Sequence, residues 1–212
     1  MSLIVSEIFY SLQGEAARAG LPTVFVRLAG CPLRCRWCDS AYAFSGGREM
    51  TLAAVLDEVQ GYPVRRACVT GGEPLAQAEC LDLLTALADS GYDVSLETSG
   101  ALDIAPVDSR VSRVMDLKAP DSGEEGSNRW ENLQLLNAHD EIKFVIASRR
   151  DYEWARALIG AHRLDLLCPL LMQPAHGLIE PRELAEWILA DALPVRFQMQ
   201  LHKLLWGNMR GK

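Results

Sequence analysis

An incomplete βα barrel of about six units, within the α/β class, is the architecture this sequence predicts, on three observations. Seven short segments are rich in β-forming residues and bounded by turn or polar residues, and helical patterns separate most of them. The chain of 212 residues also falls short of the roughly 250 that a complete eightfold barrel takes. A single domain over residues 1–212 follows from this length. A flavodoxin-like open sheet is the alternative, although it would gather ligand contacts at one switch point instead of spreading them along a rim.

In order, the expected strands are TVFVRLAG (23–30), RACVTGG (66–72), DVSLETSG (93–100), RVMDLKAP (113–120), EIKFVIAS (141–148), CPLLMQPA (168–175) and VRFQMQLHK (195–203). The expected helices are 51–60, 74–90, 127–138, 149–162 and 181–191, with Thr51 and Ser127 as N-caps. The stretch 101–112 has room for little more than a turn. Strands alternating with helices imply parallel pairing and apolar strands covered on both faces. The ligand site then lies at the carboxyl ends of the strands, where polar residues gather: the loop after residue 30, Thr70 to Glu73, Glu97 to Ser99, Asp116, Lys118, Lys143, Gln173 and His202.

Net charge is −7 and the isoelectric point is about 5.1, which argues against a nonspecific nucleic-acid binder needing concentrated Lys and Arg. No secretion signal and no apolar run of bilayer length is visible, so a cytoplasmic protein with no membrane association is expected. Its six cysteines should then stay reduced, which disfavours a disulfide framework and favours metal or cluster binding. Cys68, Cys80 and Cys168 stand singly in apolar surroundings and read as small buried hydrophobes.

The other three are crowded into GCPLRCRWCDS, residues 30–40. A 4Fe-4S cube normally takes four thiolates. Cys31, Cys35 and Cys38, with no fourth nearby, would leave one iron open to bind a small molecule. A structural zinc with a distant fourth ligand is the alternative, although no second C-x-x-C or H-x-x-x-H pair accompanies the loop. A second motif, VTGGEP (69–74), places paired glycines after the second expected strand, where backbone can approach a ligand closely. A plain glycine turn capped by Glu73 ahead of Pro74 is the other reading.

The C-x3-C-x2-C spacing, Trp37 before the last cysteine and the GGE motif resemble the radical S-adenosylmethionine (SAM) superfamily. The stretch EIFYSLQGEAARAGLPTVFVRLAGCPLRCRWCD, with MQLHK near the other end, is similar to its 7-carboxy-7-deazaguanine synthase family. That resemblance implies conversion of 6-carboxy-5,6,7,8-tetrahydropterin to 7-carboxy-7-deazaguanine with loss of ammonia, in queuosine or other 7-deazapurine biosynthesis. It also implies one 4Fe-4S cluster per subunit, SAM regenerated after each turnover, Mg2+, a homodimer and an electron donor such as flavodoxin.

By the same resemblance, Cys31, Cys35 and Cys38 hold the cluster and Ser40, in place of the family's threonine, binds Mg2+. Trp37, Gly72, Glu97, Ser99, Asp116, Leu117, Lys118, Lys143 and Gln173 fall where the family contacts SAM. Leu12, Gln13, Gly14 and Glu15, with Thr70 and His202, fall on the substrate, and Arg27 meets the substrate carboxylate. Read alone, Arg27 in an otherwise apolar strand needs an anionic partner, which a structural ion pair would also supply. Lys118 and Lys143 are open to the same alternative of neutralising neighbouring carboxylates. No side chain is assigned as a general acid or base. A different radical SAM enzyme, such as a glycyl-radical activase, would share the cluster and GGE features without needing Gln13, Arg27 or His202. The chain departs from the family in Ala16, which replaces a glycine, in Leu201, where threonine is common, and in the tail LLWGNMRGK, whose role is left open because family members can bring C-terminal residues into the substrate site.

Overall fold

The computed structural model describes residues 2–212. Strand β1 (Ser2–Leu12) runs into a loop, and β2 (Pro22–Leu28) returns antiparallel to it. The cysteine loop leads on to a short edge strand, β3 (Arg48–Thr51), which pairs antiparallel with the far side of β1. Helix α1 (Leu52–Gln60) precedes β4 (Arg66–Gly71), and α2 (Cys80–Asp89) precedes β5 (Asp93–Thr98). Then come β6 (Ser112–Leu117), β7 (Glu141–Ile146), α3 (Arg149–His162), β8 (Leu170–Pro174), α4 (Pro181–Ala190), β9 (Arg196–Phe197) and α5 (Leu201–Trp206). All nine strands form one open sheet in the order β3-β1-β2-β4-β5-β6-β7-β8-β9, with every pairing from β2 to β9 parallel.

The side-chain period of two divides this sheet into a dry face and a wet one. Val24, Val26, Leu96, Met115, Phe144 and Met172 point one way, into a core shared with Leu84, Tyr152 and Leu184 of the helices. The alternate residues Arg27, Thr70, Glu97, Asp116, Lys143 and Gln173 point the other way and line a cavity. Strands covered on both faces by apolar layers are therefore not what forms: only one face is dry. Among the described residues no helix is long and apolar enough to cross a membrane.

Three expected elements take a different form. The region 127–138 makes two 3-10 turns, Glu125–Ser127 and Trp130–Leu135, and Ser127 donates its hydroxyl to Glu124 instead of capping a helix. Buried Asn132 holds this segment by donating to the carbonyls of Gly100 and Leu102, so local propensity yields to a side-chain anchor. The region 74–90 splits into a 3-10 turn at Pro74–Ala76 and then α2. The last expected strand pairs only at Arg196–Phe197, and His202 lies on α5 instead of a strand. Strands β1 and β3 were not expected at all.

Thr51 is the N-cap of α1, its hydroxyl accepting from the Ala54 N–H at 3.2 Å. Thr51→Ala should lower stability by about 1 kcal/mol, read as a shifted urea midpoint at constant slope. An unchanged midpoint would count against this cap.

Candidate active site

The cavity at the carboxyl ends of the strands has a volume of about 740 Å³, toward the upper end of the ~300–1,000 Å³ usual for small-molecule sites. Every residue expected to hold the cluster, Mg2+, SAM or substrate reaches it except Leu117, whose side chain is 1 % exposed in the core; of the strand-end polar residues, Glu73 also stays out, fully buried behind the GGE turn. Strand alternation explains the Leu117 exception: Asp116 faces the cavity, so its neighbour cannot, and only the Leu117 backbone remains for a ligand.

Cys31, Cys35 and Cys38 are half-buried on the cavity wall, unpaired with one another, and burial pushes each thiol above its ordinary pKa. Their loop is braced from outside, where Glu124 accepts from the Arg34 N–H and the Ser122 carbonyl from the Arg36 N–H. Against its inner side lies the GGE turn. A Cβ on Gly72 would stand 2.3 Å from the Gly30 carbonyl oxygen and 2.7 Å from the Cys31 Cβ, so only glycine permits this approach. Glu73 takes the structural role: fully buried, it caps the Pro74 turn through the Leu75 N–H and accepts from Thr98 Oγ and from Ser99 N–H and Oγ. The Ser99 hydroxyl is thereby committed to Glu73.

The loop after β1 crosses the wet face and forms the cavity floor. Ala16 packs on Val114 and Leu171 of the sheet, and the Ala17 N–H donates to Glu141 at 2.9 Å. Ala16 has φ +64, the left-handed conformation that a glycine at this position would adopt without steric cost. This floor carries Gln13, Gly14 and Glu15 beneath the cavity. Gly14 abuts His202, whose Nδ1 would be 2.2 Å from an added Cβ. Burial lowers the His202 pKa, so its ring is neutral at pH 7.

Charges are paired across the floor. Lys143 Nζ lies 2.8 Å from Glu15 Oε2 and 3.6 Å from Asp116 Oδ2, and Lys118 Nζ lies 3.1 Å from the same Asp116 oxygen. The alternative reading of both lysines, neutralising carboxylates, is therefore realised. Asp116 Oδ1 is buried without a partner. Glu97, expected against SAM, receives weak hydrogen bonds from Gln13 Nε2 at 3.3 Å and Thr70 Oγ1 at 3.4 Å, among the residues expected at the substrate. Cys68 sits beneath it, its Sγ 3.8 Å from Glu97 Oε1, while Cys80 and Cys168 are in the core.

Arg27 Nε donates to Glu7 at 2.8 Å, and Tyr42 donates its hydroxyl to the same carboxylate oxygen at 2.7 Å. Burial works against the guanidinium charge, but Tyr42 and Glu7 outweigh it and its pKa is raised. A structural ion pair thus uses one edge of Arg27, and the paired Nη groups remain for the cavity. Ser40 donates its hydroxyl to Asp39 at 2.9 Å, and Gln200 Nε2 bridges Asp39 at 3.1 Å and Glu15 at 2.8 Å. Glu7, Asp39, Tyr42 and Gln200 had not been anticipated. Glu7 lies on the unrecognised β1, whereas the alternating glutamines of QMQ were a visible signal of two side chains on one side. The tail also enters, with the Arg210 guanidinium 3.8 Å from the centroid of the Tyr42 ring.

Comparison with known proteins agrees with this geometry. The Radical SAM superfamily pattern matches residues 25–166. The 7-carboxy-7-deazaguanine synthase of Koribacter versatilis is 45 % identical over 95 % of this chain and 96 % of its own length. That of Chlorobaculum tepidum is 47 % identical, covering 97 % of this chain and 94 % of its own. Among solved structures, QueE from Escherichia coli superposes with a TM-score of 0.79 at 26 % identity, over 95 % of each chain. The chain belongs to the 7-carboxy-7-deazaguanine synthase family of the radical SAM superfamily.

Proposed function

We propose that this chain converts 6-carboxy-5,6,7,8-tetrahydropterin to 7-carboxy-7-deazaguanine with release of ammonia, using a 4Fe-4S cluster, SAM and Mg2+. One observation carries the reading: a single cavity joins the three thiols to Gln13, Arg27 and His202. It is supported by relatives of that name along nearly the whole chain.

The residues present fit each group. Among the described residues, no three His, Cys, Asp or Glu side chains converge on one ion. Three thiols on one loop of the cavity wall suit a multi-iron cube with one iron left open, and metal coordination would deprotonate thiols that burial otherwise keeps protonated. For SAM, the unpartnered Asp116 Oδ1 waits for a hydrogen-bond donor and the bare Gly72 backbone admits a close ligand. For Mg2+, the Ser40 hydroxyl and the Asp39 carboxylate are hard oxygen donors, too few for a full shell, so water and substrate oxygens would complete it.

When bound, cluster and SAM supply the one-electron chemistry that removes a hydrogen from the pterin. In this reading the Nη groups of Arg27 grip the substrate carboxylate, and Glu7 fixes the plane of the fork. Neutral His202 and Gln13 contact the rings above the floor. The Lys143 and Glu15 charges hold the floor rigid without titrating near neutral pH, the lysine's pKa being raised and the glutamate's lowered. The homodimer and flavodoxin-type donor belong to the same proposal.

The test is anaerobic reconstitution with iron and sulfide, followed by incubation with reductant, SAM, Mg2+ and the carboxypterin. Mass spectrometry should find a product lighter than substrate by one ammonia and nothing more, because the conversion is redox-neutral overall and SAM is regenerated. A reconstituted, SAM-binding protein that leaves the pterin untouched would point to another substrate.

A further inference from the structure

We propose that Gln198 is a positioning residue that couples the two halves of the cavity, setting the Gln173 amide on the SAM side and the floor turn on the pterin side. This rests on the substrate and cofactor reading above. Gln198 is only 9 % exposed and Gln173 only 2 %, so neither amide has water to fall back on and each orientation must come from protein partners.

One partner is unambiguous. The Ala16 backbone N–H can only donate, and it lies 2.9 Å from Gln198 Oε1. The other end of the Gln198 amide must then be Nε2, which donates to Gln173 Oε1 at 2.8 Å. Because Gln173 Oε1 is consumed there, Gln173 turns its Nε2, a double donor, toward the cavity it lines. A chain of forced choices thus runs from a backbone N–H in the floor to the donor polarity of a group on the opposite wall. The same turn presents the next N–H, that of Ala17, to Glu141, so the floor behind Gln13, Gly14 and Glu15 hangs on two adjacent donors. One of the two acceptors is Gln198.

Substitution at Gln198 separates the two functions. Gln198→Leu removes both bonds and should raise the SAM dissociation constant and the KM for the carboxypterin, each roughly five- to hundredfold. Gln198→Glu keeps the shape and still accepts from Ala16, but it meets Gln173 with an oxygen. Gln173 must then rotate its amide and show Oε1 to the cavity. Here SAM affinity, read by anaerobic equilibrium dialysis with labelled SAM, should fall at least fivefold. The pterin KM should stay within about twofold of the parent, since the floor turn keeps its acceptor.

Iron and sulfide content should match the parent in both variants, and loss of the cluster would refute a role confined to positioning. The inference is overturned if Gln198→Glu weakens both ligands equally or leaves SAM affinity unchanged, or if Gln198→Leu alters neither. Failure of the unsubstituted reconstituted chain to bind SAM would instead remove the underlying reading of the site.

Discussion

Gly72→Ala is expected to abolish retention of the iron-sulfur cluster while leaving the sheet folded. The added methyl would meet the Gly30 carbonyl oxygen at 2.3 Å and the Cys31 Cβ at 2.7 Å. That carbonyl already accepts from the Glu73 N–H at 2.8 Å, so it cannot swing aside without breaking the turn. Overpacking of this kind costs about 1–3 kcal/mol, which a rim position outside the main core relieves by pushing the cysteine loop outward. Metal ligation tolerates displacements of only about 0.2 Å, so the loop's escape is fatal to the cluster before it is fatal to the fold. Reconstituted Gly72→Ala should contain little iron yet show a cooperative urea transition. Gly71→Ala offers a contrast, because its Cβ would strike the Leu28 backbone, with the carbonyl oxygen 2.3 Å away, inside the sheet; there global stability should fall further. Parental iron content in Gly72→Ala would refute the steric account.

Lys143→Met should cost about 3–5 kcal/mol, because removing one partner of a buried ion pair strands the others. Lys143 is bonded to Glu15 and close to Asp116, with side-chain exposures of 11 %, 10 % and 15 %. Burial disfavours the ammonium, yet Glu15 and Asp116 outweigh it and hold the Lys143 pKa well above its usual 10.5. Its contribution is therefore complete below that value and lost only as pH rises through the raised one. Burial likewise disfavours the Glu15 carboxylate, and Lys143 outweighs it, so that pKa lies below its usual 4.5. Its contribution is complete above that value and lost as pH falls through the lowered one. Across neutral pH the pair is thus insensitive to acid. In the variant, burial of Glu15 is no longer opposed by the ammonium and its pKa rises. The folded form then takes up a proton more readily than the unfolded chain, and the deficit shrinks on acidification. Urea titrations at pH 7.5 and pH 5 measure it, and equal deficits would contradict the electrostatic origin.

The parallel strands and α1, α3 and α4 were legible because apolar runs and turn residues bound them, with a cap as well at Thr51. The rim was legible for a related reason: polar residues at strand ends such as Asp116 and Gln173 have no place in a dry core. What escaped was decided at long range. β1 alternates around a register shift between Val5 and Glu7, which blurs its periodicity, and β3 has four residues. His202 was read into a strand because VRFQMQLHK alternates well. The chain nevertheless leaves the sheet after Phe197, since Gln198 and Gln200 bond to the floor loop and Asp39, and the Leu201 N–H donates to the Gly14 carbonyl. Leu117 illustrates the reverse case. A motif placed it in the site, and the pleat of β6 turned its side chain away.

The bonds between the floor and the QMQLH segment join residues up to 187 positions apart, from Gly14 to Leu201. Contacts of such separation carry the largest loop-closure entropy, so they form late, after the neighbouring βα pairs have docked. On a ribosome this enzyme would acquire its sheet well before it acquires a place to bind pterin. Removal of the segment from Gln198 onward should then yield a folded shell without a floor.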